Sequence, residues 1–130
     1  MTQIRALIID DNSDNLGILT QLLTDEGVVC TQINHPAYIQ SVLENAPTFD
    51  VIFLDLEMPQ LDGFQVLKML KAHPRQQSVP VVAYTVHISE IHVAREHGFH
   101  SFLGKPLDSD LFPEQLAKIL NGQAVWSRGG

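Results

Sequence analysis

Asp10, Asp11, Asp55, Thr85 and Lys105 are scattered over a chain of 130 residues, yet their types suit one kind of chemistry. The two neighbouring acids follow the apolar run Ala6-Leu7-Ile8-Ile9, and Asp55 follows Val51-Ile52-Phe53-Leu54. Carboxylates gathered at the ends of adjacent strands repel one another, and the usual relief is a bound divalent cation that accepts oxygen ligands. Mg²⁺ fits this set, because it takes one or two carboxylates and keeps several waters, whereas zinc calls for Cys or His. A carboxylate held beside such a metal can attack phosphorus and form an acyl phosphate, which makes Asp55 the candidate nucleophile. The transferred group spreads negative charge over three oxygens and needs a cation and hydrogen-bond donors opposite the metal. Lys105 and Thr85 supply these, and the backbone amides just after Asp55 and Thr85 are expected to be free to add to them, since each strand ends there.

These positions depend on elements that can be read from hydrophobic period. The continuously apolar runs at Ala6–Ile9 and Val51–Leu54 read as strands, as do Val79–Tyr84, the weaker Val28–Ile33 and the short Ser101–Leu103. Helical spacing separates them. One helix is predicted from about Asp14 to Glu26, capped by Ser13, with Leu16, Leu19, Leu22 and Leu23 on one face and Gly27 at its end. A second opens at Pro36 with Ile39, Val42, Leu43 and Ala46; a third follows Gly63 with Val66, Leu67 and Leu70 and stops at His73-Pro74. A fourth carries Ile88, Ile91 and Ala94 up to Gly98, and a fifth carries Leu116, Ile119 and Leu120. Alternating strands and helices predict an α/β fold: a doubly wound, flavodoxin-like, five-stranded parallel sheet of order 2-1-3-4-5 with five helices. In such a sheet ligands sit outside the carboxyl ends of the strands beside the switch point, where the five polar residues fall. One domain is expected over residues 1–120. Residues 121–130 lack periodicity and are expected to form a loose, flexible tail in which Trp126 has no role.

Lys and Arg number 8 against 15 Asp and Glu, a net charge of −7, which opposes direct nucleic-acid binding because that affinity comes from basic residues. With 45% hydrophobic residues the chain can build a core without metal or disulfide staples. Cys30, the only cysteine, is expected to be a small buried hydrophobe. The sequence shows no basic-then-apolar leader and no apolar run of membrane-spanning length, and a cytoplasmic, reducing setting without membrane contact is expected. The six histidines show no compact ligand spacing and are read as surface groups.

Asp10-Asp11, Asp55-Leu56-Glu57-Met58-Pro59 with Asp62-Gly63, Thr85 and Lys105-Pro106 together resemble the receiver domain of two-component response regulators, over residues 4 to about 120. The resemblance implies that Asp55 is the phosphorylation site, with the phosphoryl group coming from a histidine kinase, a histidine phosphotransfer protein or a small donor such as acetyl phosphate. It further implies that Asp11, Asp55 and the backbone carbonyl of Glu57 bind Mg²⁺ while Asp10 acts largely through water, and that Lys105 contacts the phosphoryl oxygens. Thr85 and Phe102 are the implied switch residues, one moving toward the phosphate and the other turning inward behind it. The Lys105-Pro106 bond is commonly cis in relatives. The face formed by the fourth helix, fifth strand and fifth helix, about residues 87–120, is then the expected surface for an output protein or a phosphorylation-dependent second copy.

Some residues depart from that pattern. Val86 replaces a small residue after Thr85, and its β-branched side chain is expected to crowd the phosphoryl pocket. Glu57 and His87 flank the pocket mouth, Phe99 stands where a small residue is usual, and Pro113 implies a late or distorted start to the last helix. A haloacid dehalogenase type of phosphatase would need Asp-x-Asp after the first strand, and Asn12 stands at the decisive place. A flavodoxin-like carrier would need a Ser/Thr/Gly-rich loop instead of an acidic one. The remaining alternative is a degenerate receiver, an interaction module working without phosphorylation. The reading adopted is a signalling switch that catalyses only its own phosphotransfer and slow hydrolysis.

Overall fold

The apolar runs assemble into one fully parallel sheet in a computed structural model that describes residues 3–129. The strands are β1 (Arg5–Ile9), β2 (Val29–Ile33), β3 (Val51–Asp55), β4 (Val81–Thr85), β5 (Ser101–Gly104) and β6 (Trp126–Ser127), ordered β2-β1-β3-β4-β5-β6. The helices are α1 (Ser13–Asp25), α2 (Ile39–Asn45), α3 (Gly63–Ala72), α4 (Ile91–His97) and α5 (Phe112–Leu120). The doubly wound architecture is as expected, with one strand more. Met1, Thr2 and Gly130, which fall within the expected domain and tail ranges, lie outside the described residues.

Side chains alternate across each strand, so every strand divides its residues between two cores. Leu7, Ile9, Ile52, Leu54, Ala83 and Phe102 pack with α2, α3 and α4. Ala6, Ile8, Val51, Phe53, Val82, Tyr84 and Leu103 pack with Leu16, Leu19 and Leu23 of α1 and Phe112, Leu116 and Ile119 of α5. Burial on both faces is why β1 and β3 read as unbroken apolar runs. It also fixes direction at the strand ends. Residues in step with Ile8 and Phe53 point toward the α1/α5 side, and Asp10 and Asp55 continue that series.

Several boundaries differ from expectation for local reasons. Asn12, rather than Ser13, caps α1: its side-chain oxygen accepts the Asn15 N–H at 3.0 Å. The helix expected to open at Pro36 begins as a 3₁₀ turn over Pro36–Tyr38 and becomes α-helical at Ile39. Another 3₁₀ turn, Ile88–Glu90, precedes α4. Strand β4 starts at Val81 instead of Val79, since Pro80 has no N–H for a ladder, though its carbonyl accepts from Ile52 at 3.0 Å. Pro113 sits in the first turn of α5, where a missing N–H is tolerated, which gives the late start.

The largest departure is after α5. The segment read as an unstructured tail carries β6, which runs parallel to β5 with Phe102 opposite Trp126 and Leu103 opposite Ser127. The Phe102 N–H donates to the Val125 carbonyl at 2.8 Å, and the Val125 N–H donates to Ser101 Oγ at 3.0 Å. Trp126 packs partly buried against the α2–α4 core, with the Arg95 guanidinium 4.4 Å from its ring centre. Two paired residues are too few to show a hydrophobic period, and the strand is held by its neighbour instead. Gly104 makes the approach possible, because a Cβ there would collide with the Arg128 carbonyl.

Candidate functional site

The carboxyl ends of β1, β3, β4 and β5 converge and bring together the side chains of Asp10, Asp11, Asp55 and Lys105, with Thr85 at the end of β4 beside them in the chain. Asp10 and Asp55 are buried and Asp11 is exposed. One carboxylate oxygen from each lies within 4.8 Å of the others, so the three can share one cation. Lys105, whose side chain is only 7% exposed, places Nζ 3.4 Å from Asp55 Oδ1 and 3.5 Å from Asp10 Oδ2. Thr85 is fully buried and its carbonyl accepts the Lys105 N–H at 2.8 Å, tying the end of β4 to the lysine loop. The Lys105-Pro106 bond is cis. Phe102 is buried with its ring in the α2–α4 core.

The electrostatics follow from burial. Loss of water pushes the Asp55 carboxyl up to about 7, and the nearby Asp10 adds to this, while Lys105 and the Glu57 N–H, which donates to Asp55 Oδ1 at 3.0 Å, pull it back. Asp10 is held by two further donors: Asn12 N–H on Oδ1 at 2.9 Å, and the Tyr84 hydroxyl on Oδ2 at 2.6 Å. Burial, followed by the charge of Asp10, raises the Tyr84 phenol above its ordinary range, so it serves as a donor. The oxygen-only donor set, two of its three acids buried beside an ammonium, fits a hard divalent ion better than zinc.

The amides expected to be free after Thr85 are not free. The Glu57 carboxylate crosses the pocket mouth, accepting the Val86 N–H on Oε2 at 3.3 Å while Oε1 pairs with His87 Nε2 at 3.0 Å. The His87 N–H donates to Thr85 Oγ1 at 3.1 Å. An amide at a strand end finds the nearest acceptor, and here side chains supply it. Val86 itself is half exposed and lines a cavity of about 320 Å³ with Asn15, Ile18, Tyr84, Lys105, Pro106 and Leu107, so its bulk stands at the approach to the lysine.

Tyr84 is the member of this cluster that the sequence reading passed over as an ordinary strand residue. Register is the signal that finds it: Asp55 and Tyr84 are direct partners across β3 and β4, so their side chains leave the sheet on the same face.

Comparison with known proteins agrees with this geometry. The response regulator receiver domain family matches residues 6–117, and the chain belongs to that family. Among curated relatives, Stress response regulator protein 1 of the yeast Meyerozyma guilliermondii is 31% identical over 112 residues, covering 83% of this chain and 51% of that protein. The signal transduction histidine-protein kinase BarA of Escherichia coli is 29% identical over 126 residues, 94% of this chain but 13% of the kinase. The fold is shared with the chemotaxis response regulator CheY4 of Vibrio cholerae, with a TM-score of 0.80 and 21% identity, covering 91% of this chain and 99% of that one. It is shared too with the receiver domain of the sensor histidine kinase PA1611 of Pseudomonas aeruginosa, solved with magnesium in its active-site cleft (TM-score 0.78, 22% identity, 92% of this chain and 99% of that one). Receiver domains are signalling modules of two-component systems, paired with histidine kinases, rather than classical enzymes. Among the described residues no helix is long and apolar enough to cross a membrane.

Proposed function

We propose that this chain is a phosphorylation-dependent switch in which Asp55 accepts a phosphoryl group from the phosphohistidine of a kinase or phosphotransfer protein. The observation that carries the reading is the buried Asp55 carboxylate set between Lys105 at 3.4 Å and the Asp10 and Asp11 oxygens. An Asp55 oxygen forms the new bond to phosphorus as the bond to the donor nitrogen breaks, and the imidazole leaves. Asp10, Asp11, Asp55 and the Glu57 carbonyl are the groups that would hold Mg²⁺, which supplies charge neutralisation for the transferred oxygens when bound. Lys105 stays on the opposite side as the ammonium for those oxygens, and the Thr85 hydroxyl donates to one of them.

The engaged amides give the switch a physical basis. For the Val86 N–H to serve a phosphoryl oxygen, it must first leave the Glu57 carboxylate. Phosphorylation shifts the population only by the difference in contacts between the two arrangements, and Glu57, Thr85 and Val86 are where they differ. The change passes to α4, β5 and α5 through the Thr85–Lys105 backbone bond and Phe102, presenting an altered face to a partner protein or a second copy.

The test is incubation with acetyl phosphate and Mg²⁺ followed by intact mass measurement. The wild type should gain one phosphate, and D55N or added chelator should abolish the gain. Absence of labelling in the wild type, or equal labelling of D55N, would overturn the proposal and favour an interaction module that works without phosphate.

A further inference from the structure

We propose that Tyr84 is a positioning residue whose hydroxyl, by holding Asp10 in the metal-free pocket, weakens and thereby sets the affinity of the acid cluster for its divalent cation. This rests on the receiver reading for the cation and adds the residue that tunes it.

The first observation is reach. Tyr84 lies on β4 and Asp10 follows β1, with β3 between them, so the two backbones are about 10 Å apart at ordinary strand spacing. A Leu or Val at this position would end inside the core, whereas a phenol spans the gap and arrives at Asp10 Oδ2 with a 2.6 Å hydrogen bond. The second is cost. Tyr84 is 1% exposed, and burying a hydroxyl is unfavourable unless it finds a partner, which here is a carboxylate. The third is that the same side chain also fixes the ammonium. Lys105 Nζ lies 4.4 Å from the Tyr84 ring centre, and that ring is braced edge-on by Phe53 at 6.3 Å.

The consequence concerns differential stabilisation. With Asn12 N–H on Oδ1 and the phenol on Oδ2, Asp10 has a charge-assisted donor on each oxygen before any cation arrives. The hydroxyl thus relieves part of the repulsion that the cation would otherwise relieve. Once the cation shares the charge of Asp10, the same hydrogen bond is worth less, so the hydroxyl stabilises the free pocket more than the loaded one. Removing it leaves Asp10 Oδ2 with only the longer contact to Lys105 Nζ at 3.5 Å, a penalty the cation partly cancels.

The experiment is calorimetric Mg²⁺ titration of unphosphorylated wild type, Y84F, D10N and the D10N/Y84F double variant, with thermal melts of each in chelator and in saturating Mg²⁺. Y84F should bind Mg²⁺ roughly three- to tenfold more tightly than wild type, a fraction of a charge-assisted hydrogen bond. It should melt lower in chelator and recover in Mg²⁺ more than wild type does, and the change in affinity should vanish in the D10N background. F53L, which loosens the same ring packing but keeps the phenol, should melt lower with its Mg²⁺ affinity unchanged. Equal or weaker binding by Y84F, the same tightening in D10N, or a Y84F chain that stays unfolded in saturating Mg²⁺ would overturn the inference while leaving the receiver reading intact. A wild type that binds no Mg²⁺ would overturn both.

Discussion

The acid pocket and the β5–β6 edge lie on the same sheet but are held in opposite ways. The pocket is polar and buried except at Asp11, its members come from the ends of different strands, and their mutual repulsion is balanced by Lys105, by Tyr84 and by backbone donors. The edge is held by a backbone hydrogen bond from Phe102 to Val125, a second from the Val125 N–H to Ser101 Oγ, an aromatic ring and an arginine laid over it. In the pocket, removing one partner leaves a charge stranded; at the edge it removes contact area and little else. The pocket is therefore sensitive to chemistry and the edge to shape. Covering β5 also means that part of the face expected to change on phosphorylation is already paired with the chain's own C-terminal segment.

Breaking this contrast should be easiest at Lys105. K105M leaves Asp10 and Asp55 without their ammonium and should cost about 3 kcal/mol of stability in chelator, read from urea unfolding, with a good part restored by Mg²⁺. If Mg²⁺ restores nothing, repulsion between the acids is not what the lysine relieves. At the edge, W126A should cost about 2 kcal/mol, through lost apolar area and the Arg95 contact, equally with and without Mg²⁺. Phosphate incorporation from acetyl phosphate should be unchanged, and a large fall would show that the two regions are coupled. The smallest effect separates two neighbouring residues at the start of α1. N12A should cost about 1 kcal/mol for a lost cap while S13A stays near neutral, and the reverse order would restore Ser13 as the cap.

Much of this molecule is legible in its residues, for identifiable reasons. Ala6–Ile9 and Val51–Leu54 are apolar without a break because both faces of their strands are covered, and each is followed by an acid because the sheet ends there. That pairing of run and carboxylate singles out Asp10, Asp11 and Asp55 in advance. Thr85 and Lys105 follow by the same logic at the ends of β4 and β5. Tyr84 is invisible to it, since an aromatic in a buried strand is ordinary core, and only its pairing with Asp55 shows that it faces the acids. The engaged Val86 amide is hidden for a related reason: its acceptor, Glu57, is 29 positions away. β6 is too short to carry a pattern and exists because β5 offers an unpaired edge and Gly104 leaves room beside it.

Local order in the chain, read by itself, determined the alternation of strands and helices, the parallel sheet and the acids at its carboxyl end, because period and residue type act over a few neighbours. Tertiary structure alone decided that Tyr84 reaches Asp10 across 74 positions, that Glu57 closes over Val86, and that Trp126 and Ser127 become a strand. Those outcomes depend on which side chains the register turns to the same face and which backbone groups find their nearest acceptor, and distances of that kind exist only once the sheet has formed.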